Sequence, residues 1–251
     1  MRKMYKDHPE IQHLDSTFKV NIENFQLYTS MVVDPDGHGM PVAYCFMKSA
    51  NKENLEFFYQ QILDPEKANI HVTVNMIDKD LTNIDMLKLY YPNAKIFLCT
   101  FHVLKWFKKL VNDHVKKDDK ETVHNVLRDM TYANNQEQFD NAYNSLCEYA
   151  NTYPKLIEQI NNNWMLNQEE WVDFHRDKIF HRETNTNNRL ERYNRTLKTN
   201  CLTKSSDHLV EAIKQLIKHS TNLQREYIKR QTKQSMRYMK PNPDDTLFIK
   251  K

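Results

Sequence analysis

Two aspartates stand where neighbouring strands could hold them against a common ligand. Asp15 lies in the alternating run of residues 11–20 (IQHLDSTFKV), with Leu14, Phe18 and Val20 on one face and Asp15, Thr17 and Lys19 on the other. Asp78 closes a β-branched apolar run, residues 71–77 (HVTVNMI), at the strand end where open α/β sheets bind ligands. Two bare carboxylates about 4 Å apart repel by roughly 4 kcal/mol at an effective dielectric near 20. A hard divalent cation such as Mg²⁺, which takes oxygens from carboxylates and phosphates, removes that repulsion. Glu191, within Thr186–Asn194 (TNNRLERYN), is a candidate third acid, and on spacing alone Glu183 competes with it. Asp80, two residues after Asp78, reads as the cap of the next helix. Any of these acids taken singly would ordinarily be a surface charge.

Cys99 and His102 are a second pair with ligand chemistry. Both are zinc-ligand types at a workable spacing, and a second half of such a site would have to come from Cys147, His175, His181 or Cys201. The alternative is a structural pair with Cys99 buried in its apolar run. The four cysteines are scattered and form no C-x-x-C, which excludes a self-contained four-cysteine zinc module and fits a reduced compartment. Trp106, Trp164 and Trp171 fall in helical stretches and read as core rather than as base-stacking platforms.

Charge is unevenly placed. Residues 189–251 hold 15 Lys and Arg against 6 Asp and Glu, although the whole chain is only +3. A basic end on an otherwise acidic protein suits a polyanion, most simply nucleic acid. Arg189, Arg192, Arg195 and Lys198 are the candidate DNA contacts; a merely solvated basic face is the alternative.

Composition removes several function classes. The 251 residues (30.3 kDa) include only two glycines, Gly37 and Gly39, too few for a phosphate-cradling loop or a dinucleotide fingerprint. With 39% hydrophobic and 11% aromatic residues, the chain is not a disordered polymer. No run of 18 apolar residues suggests a membrane span, and the N-terminal residues show no signal-sequence core.

These residues need elements to position them. Residues 11–20, 26–33 and 40–48 read as three strands in a meander, with Asp34–Gly39 (DPDGHG) as a hairpin turn. Next come a helix over 51–63 (Leu55, Phe58, Ile62), a strand over 71–77, a helix with Leu81, Ile84, Leu87 and Leu89 stopped by Pro92, and a strand over 95–99. Strands alternating with helices imply parallel pairing, so the plan is α/β: a ribonuclease H-like, mixed five-stranded sheet with flanking helices. Residues 103–180 show helical spacing throughout and form an all-helical insertion. Residues 8–102 and 181–206 would form the core, with a helix from about Asn188 to Thr196. Residues 207–251 would form a basic helical extension, its apolar stripe made of Leu209, Ile213, Leu216, Ile217, Leu223, Tyr227 and Ile228.

Several motifs together resemble a known family. Asp15–Asn21 (DSTFKVN) resembles the D-x-T-[FY]-K-x-N opening of Mutator-like element (MULE) transposase domains. Ile77–Asp80 resembles their second block, Tyr91–Ala94 their F-P-x-A segment, Cys99–His102 their C-x-x-H signature, and Thr186–Asn194 their T-N-N-x-[VIL]-E-x-x-N block. The nearest flavour is the transposase-derived domain of SWIM zinc-finger proteins. The resemblance implies a D-D-E site of Asp15, Asp78 and Glu191. That site would hold two Mg²⁺ (or Mn²⁺) ions for in-line attack on a DNA phosphodiester by water or a 3′-hydroxyl, giving cleavage and strand transfer. Zn²⁺ at Cys99/His102, a nuclear location and a homodimer with paired active sites are further expectations. Such relatives usually carry an N-terminal DNA-binding module and a C-terminal SWIM finger; this sequence shows neither.

Three functional readings follow. A competent transposase or nuclease needs all three acids. A domesticated, non-catalytic module of transcription or chromatin needs only the binding surface. A 3′–5′ exonuclease would place D-x-E on the first strand, where this chain has Asp15-Ser16-Thr17. Ribonuclease H itself would want a further acid on the first helix, for which Glu53 and Glu56 are available, but the C-x-x-H block argues against it.

Overall fold

The structure, a computed structural model, describes residues 1–62, 71–177, 179, 185–203 and 207–238. A short helix α1 (Arg2–Asp7) precedes three strands, β1 (Ile11–Thr17), β2 (Gln26–Val33) and β3 (Gly39–Met47). Then come α2 (Lys52–Ile62), β4 (Val74–Ile77), α3 (Leu81–Tyr90) and β5 (Lys95–Leu98). Four helices follow: α4 (Thr100–His114), α5 (Lys120–Thr131), α6 (Gln136–Cys147) and α7 (Pro154–Asn163). The described chain ends with α8 (Asn188–Asn200) and α9 (Leu209–Tyr238).

The strands lie in the order β3-β2-β1-β4-β5, antiparallel from β3 to β1 and parallel from β1 to β5. This is the ribonuclease H-like plan that the sequence implied. Strand β1 is central, so its two faces meet different layers. Leu14 faces the main core with Tyr28, Val32 and Ile77, under α1–α3, and that core runs on into α4–α7. On the opposite face, α8 and α9 cover the β1–β3 side through Leu27, Leu197, Leu202, Ala212 and Leu216. Val74, Met76, Phe97 and Cys99 make a smaller cluster beneath β4 and β5.

The first strand ends earlier than its alternation suggests. Pairing stops at Thr17, and Lys19 adopts a left-handed backbone (φ 60°) that turns the chain away. Phe18 is therefore 59% exposed instead of sharing a face with Leu14, while Val20 packs under α8 and α9. The Asn21 side chain closes the ensuing loop by bonding both the N–H and the C=O of Phe25. Glu23 in that loop then accepts from the Leu209 N–H and caps α9.

Two helical stripes also differ from expectation. In α3, Ile84, Met86 and Leu87 are buried whereas Leu81 and Leu89 are exposed, because the helix leans on the sheet through a narrow line. In α9 the buried line is Ala212, Leu216 and Tyr227, leaving Ile213, Ile217 and Ile228 exposed. Asp80 caps α3 as expected, accepting the Asn83 N–H at 3.0 Å. The hairpin turn is also as expected, with Gly37 at φ 80° and its N–H on the Asp34 carbonyl.

Trp164 and Trp171 are fully buried, and their rings pack with Phe107, while Phe139 packs on Trp171. Trp106 sits partly buried at the margin. Trp164 and Trp171 are core, as expected from their helical stretches, and Trp106 only borders it. Buried Arg176 joins this region to the sheet: its guanidinium donates to the carbonyls of Leu98 (2.7 Å) and Glu170 (3.2 Å) and to the Thr100 hydroxyl (3.0 Å). Among the described residues no helix is long and apolar enough to cross a membrane.

Candidate active site

Register brings the two aspartates together. The parallel pairing of β1 with β4 matches Ile11 to Val74, Gln12 to Asn75 and His13 to Met76. Continued two residues past the last of these pairs, it sets Asp15 level with Asp78. Both carboxylates then emerge on the face away from Leu14, toward α8. Asp15 is held at both oxygens: Oδ1 accepts the Ser16 N–H at 2.7 Å and Oδ2 accepts from the Asn194 amide at 3.1 Å.

Helix α8 brings the third acid. Its entry is stitched to the sheet by Asn187, whose N–H donates to Cys99 Sγ (3.2 Å) and whose amide donates to the Leu14 carbonyl (3.3 Å). Asn187 Oδ1 accepts from His13 Nδ1 at 2.8 Å, and burial holds that imidazole neutral by lowering its pKa to about 4. Asn187, Glu191 and Asn194 follow at i, i+4 and i+7, so one helical face carries all three toward β1. Buried Leu190 and Leu197 fix the helix's rotation.

His102 is the hub. Its Nδ1 lies 2.8 Å from Asp78 Oδ1 and 3.7 Å from Glu191 Oε1. The late acid therefore reaches the strand-end acid, and the Asp15 carboxyl feels both. Burial pushes the Asp15 pKa up to about 7; Asp78 and Glu191 push the same way, against the Ser16 N–H and His102. The Asp78 carboxylate, together with Cys99, raises His102 to about 10 against a smaller effect of burial.

The oxygens suit a hard cation. Asp78 Oδ1 and Glu191 Oε1 are shielded from solvent and lack a hydrogen-bond partner, and crowded carboxylates with orphaned oxygens are what a divalent ion would satisfy. Asp78 and Glu191, with Asp15 beside them, are the residues that would hold it, although the three do not make a ligand group as close as that of Asp78, Cys99 and His102. Glu183 and His181 lie outside the described residues.

The other sequence candidates divide. Arg192 and Arg195 are exposed on α8. Arg189 is partly buried and its Nε donates to the Gly37 carbonyl at 3.0 Å, tying α8 to the hairpin. Lys198 is partly buried near the acids: burial and Lys19 lower its pKa while Asp15 opposes them. Cys99 is fully buried, and its sulfur lies with Asp78 and His102 in a group whose ligand atoms fall within 4.8 Å of one another. Neither Cys147, His175 nor Cys201 joins that group among the described residues. The sequence presents His102 as half of a zinc-type pair rather than as the neighbour of two acids, and it gives no role to Asn187, which docks α8, or to Asn194, which holds Asp15; the i, i+4, i+7 spacing is the available signal.

Residues 1–97 match the family described as zinc finger SWIM domain-containing protein 1/3, RNaseH-like domain. The match takes in Asp15 and Asp78 and ends before His102 and Glu191. Comparison with the curated proteins gives no match.

Proposed function

Taking residues 1–97 as the RNase H-like domain of a SWIM zinc-finger type protein, we propose that the chain is a transposase-derived module acting on DNA phosphodiesters at Asp15, Asp78 and Glu191. One observation supports the reading: the acid at the end of β4 and the acid of a late helix meet at one imidazole, and the central-strand acid lies close enough to feel the charge of both. Mg²⁺ or Mn²⁺ held there would supply charge neutralisation and activation of a water or 3′-hydroxyl. The chain's own part is placement. Asn194 orients Asp15, Asn187 docks α8, and Lys19 and Lys198 at the rim offer positive charge to a phosphate backbone. A nuclear setting and a paired assembly of two such sites belong to the same reading.

A second reading, a nucleic-acid-binding module without cleavage, draws on a different feature. Arg192 and Arg195 stay exposed on α8, independent of the acids. Calorimetric titration of Mn²⁺ and Mg²⁺, paired with a plasmid-nicking assay, separates the two. Cleavage predicts metal binding by the wild type, with or without DNA, and loss of binding and nicking in Asp78→Ala and Glu191→Ala. If the wild type takes up neither metal yet retains DNA in a salt-dependent manner, the second reading stands.

A further inference from the structure

Cys99 has a role that three carboxylates do not require. It occupies the N-cap position of α4 without capping it, and it is buried. Its sulfur instead accepts the Asn187 N–H at 3.2 Å, which fixes the side chain in place. His102, three residues on, returns its ring to the same side, and Asp78 arrives from the adjoining strand.

Asp78 Oδ1 and His102 Nδ1 are 2.8 Å apart, yet neither has a hydrogen-bond partner of acceptable angle, so they form an unaligned ion pair. Two buried polar atoms that approach without bonding are placed as co-ligands would be. One oxygen, one nitrogen and one sulfur within 4.8 Å form a donor set different in kind from that of Asp15, Asp78 and Glu191.

We infer that Asp78, Cys99 and His102 form a binding site for a single borderline-soft divalent cation of the Zn²⁺ class, sharing Asp78 with the acidic triad. Thiolate and imidazole select such ions over Mg²⁺, which demands oxygen ligands. Three protein ligands leave a coordination position open, and the partly exposed Asp78 and His102 side chains give access to it. Binding converts the Cys99 thiol to a thiolate and releases its proton to solvent. Because Asp78 cannot serve both ions freely, a cation seated on sulfur competes with Mg²⁺ for the triad. The site does not depend on whether the acids cleave DNA. The other group of potential ligands, Asp34, Asp36 and His38 at the hairpin, lacks sulfur and provides an internal contrast.

The test is cobalt titration of the full chain, followed by optical absorption. One equivalent of Co²⁺ should give the sulfur-to-cobalt charge-transfer band of a thiolate ligand. Cys99→Ser should abolish the band, and His102→Gln, at a partly exposed position that spares the core, should weaken cobalt affinity at least tenfold. Asp15→Asn should leave the band intact, so failure of the triad reading and failure of this one are separately visible. Stoichiometric Zn²⁺ should erase the band, whereas a large excess of Mg²⁺ should be needed to diminish it. A cobalt spectrum without charge transfer, as the hairpin alone would give, overturns the assignment, as does a band that survives both Cys99→Ser and His102→Gln.

Discussion

The aromatic core among the helices after β5 and the acidic pocket at the ends of β1 and β4 are built on opposite terms. Around Trp171, rings from Phe107, Phe139 and Trp164 meet edge to face, and the indole N–H donates to the Trp164 carbonyl at 3.0 Å. Apolar area is buried there, with the indole N–H of Trp171 satisfied and that of Trp164 without a hydrogen-bond partner. Around His102 the carboxylates of Asp78 and Glu191 converge with Asp15 close by, and their solvent-shielded oxygens make no hydrogen bond. One region has the interactions that hold a fold together; the other concentrates repulsion that a ligand would relieve. Lys79 sits between them, one residue from Asp78, with its ammonium 3.6 Å from the Trp164 ring centroid and 2.5 Å from the Asn163 carbonyl. The stable region thus grips the chain next to the strained one.

The largest expected effect lies in the aromatic core. Trp171→Ala removes a fully buried indole from among three rings and should destabilise the protein by ~3–5 kcal/mol. Its urea midpoint would fall accordingly, with the slope unchanged. A loss below about 1 kcal/mol would mean that this aromatic cluster does not carry the stability assigned to it.

In the pocket the sign reverses. Asp15 titrates near pH 7 in the fold against 3.8 as its ordinary value. As pH rises the unfolded chain ionises first, so the fold loses stability from about pH 4 to about pH 7 and then levels off. Asp15→Asn removes the charge, but it leaves only one oxygen for the Ser16 and Asn194 donors, a loss of ~0.5–1.5 kcal/mol. With solvent screening at a partly open site, the metal-free variant should be ~1 kcal/mol more stable than wild type at pH 8 and equal or less stable at pH 4. Thermal melts across that range would show the crossing. If the three acids hold a divalent ion, Mg²⁺ should close the pH 8 gap by stabilising wild type alone. If Asp15→Asn is the less stable protein at pH 8, the contrast between the two regions fails.

How far the sequence reveals each region follows from the range of the interactions involved. Local periodicity exposes the strands, the helix caps and the tryptophan core, because each depends on residues a few positions apart. The alternation around Asp15 and the apolar run ending at Asp78 are of this kind. The end of β1 at Thr17 is not: it is set by the left-handed turn at Lys19, which lysine does not announce. Nor do isolated stripes reveal that Leu81, Leu89 and Ile217 remain exposed, since that depends on how narrowly each helix meets its neighbour. The pocket itself is long-range. Arg189 meets a hairpin carbonyl 152 positions away, where its charge alone suggests a DNA contact, and Asn194 meets Asp15 across 179, a pairing that nothing local announces.

The smallest structural effect, and the most diagnostic for the basic surface, belongs to Arg192 and Arg195. Both side chains are exposed on α8 and support neither region, so replacing both with Ala should change stability by no more than ~0.5 kcal/mol each. Their helix nevertheless presents Glu191 to the pocket, which places the two guanidiniums beside any strand lying there. If they neutralise backbone phosphates, the double variant should bind duplex DNA more weakly whatever its sequence. The slope of log affinity against log salt should then fall by about 1 for each phosphate left without its guanidinium. Metal binding measured by calorimetry should not change. A DNA-binding curve and salt slope identical to wild type would remove these arginines from the interface and shift the electrostatic attraction toward Lys19, Lys198 and the basic face of α9.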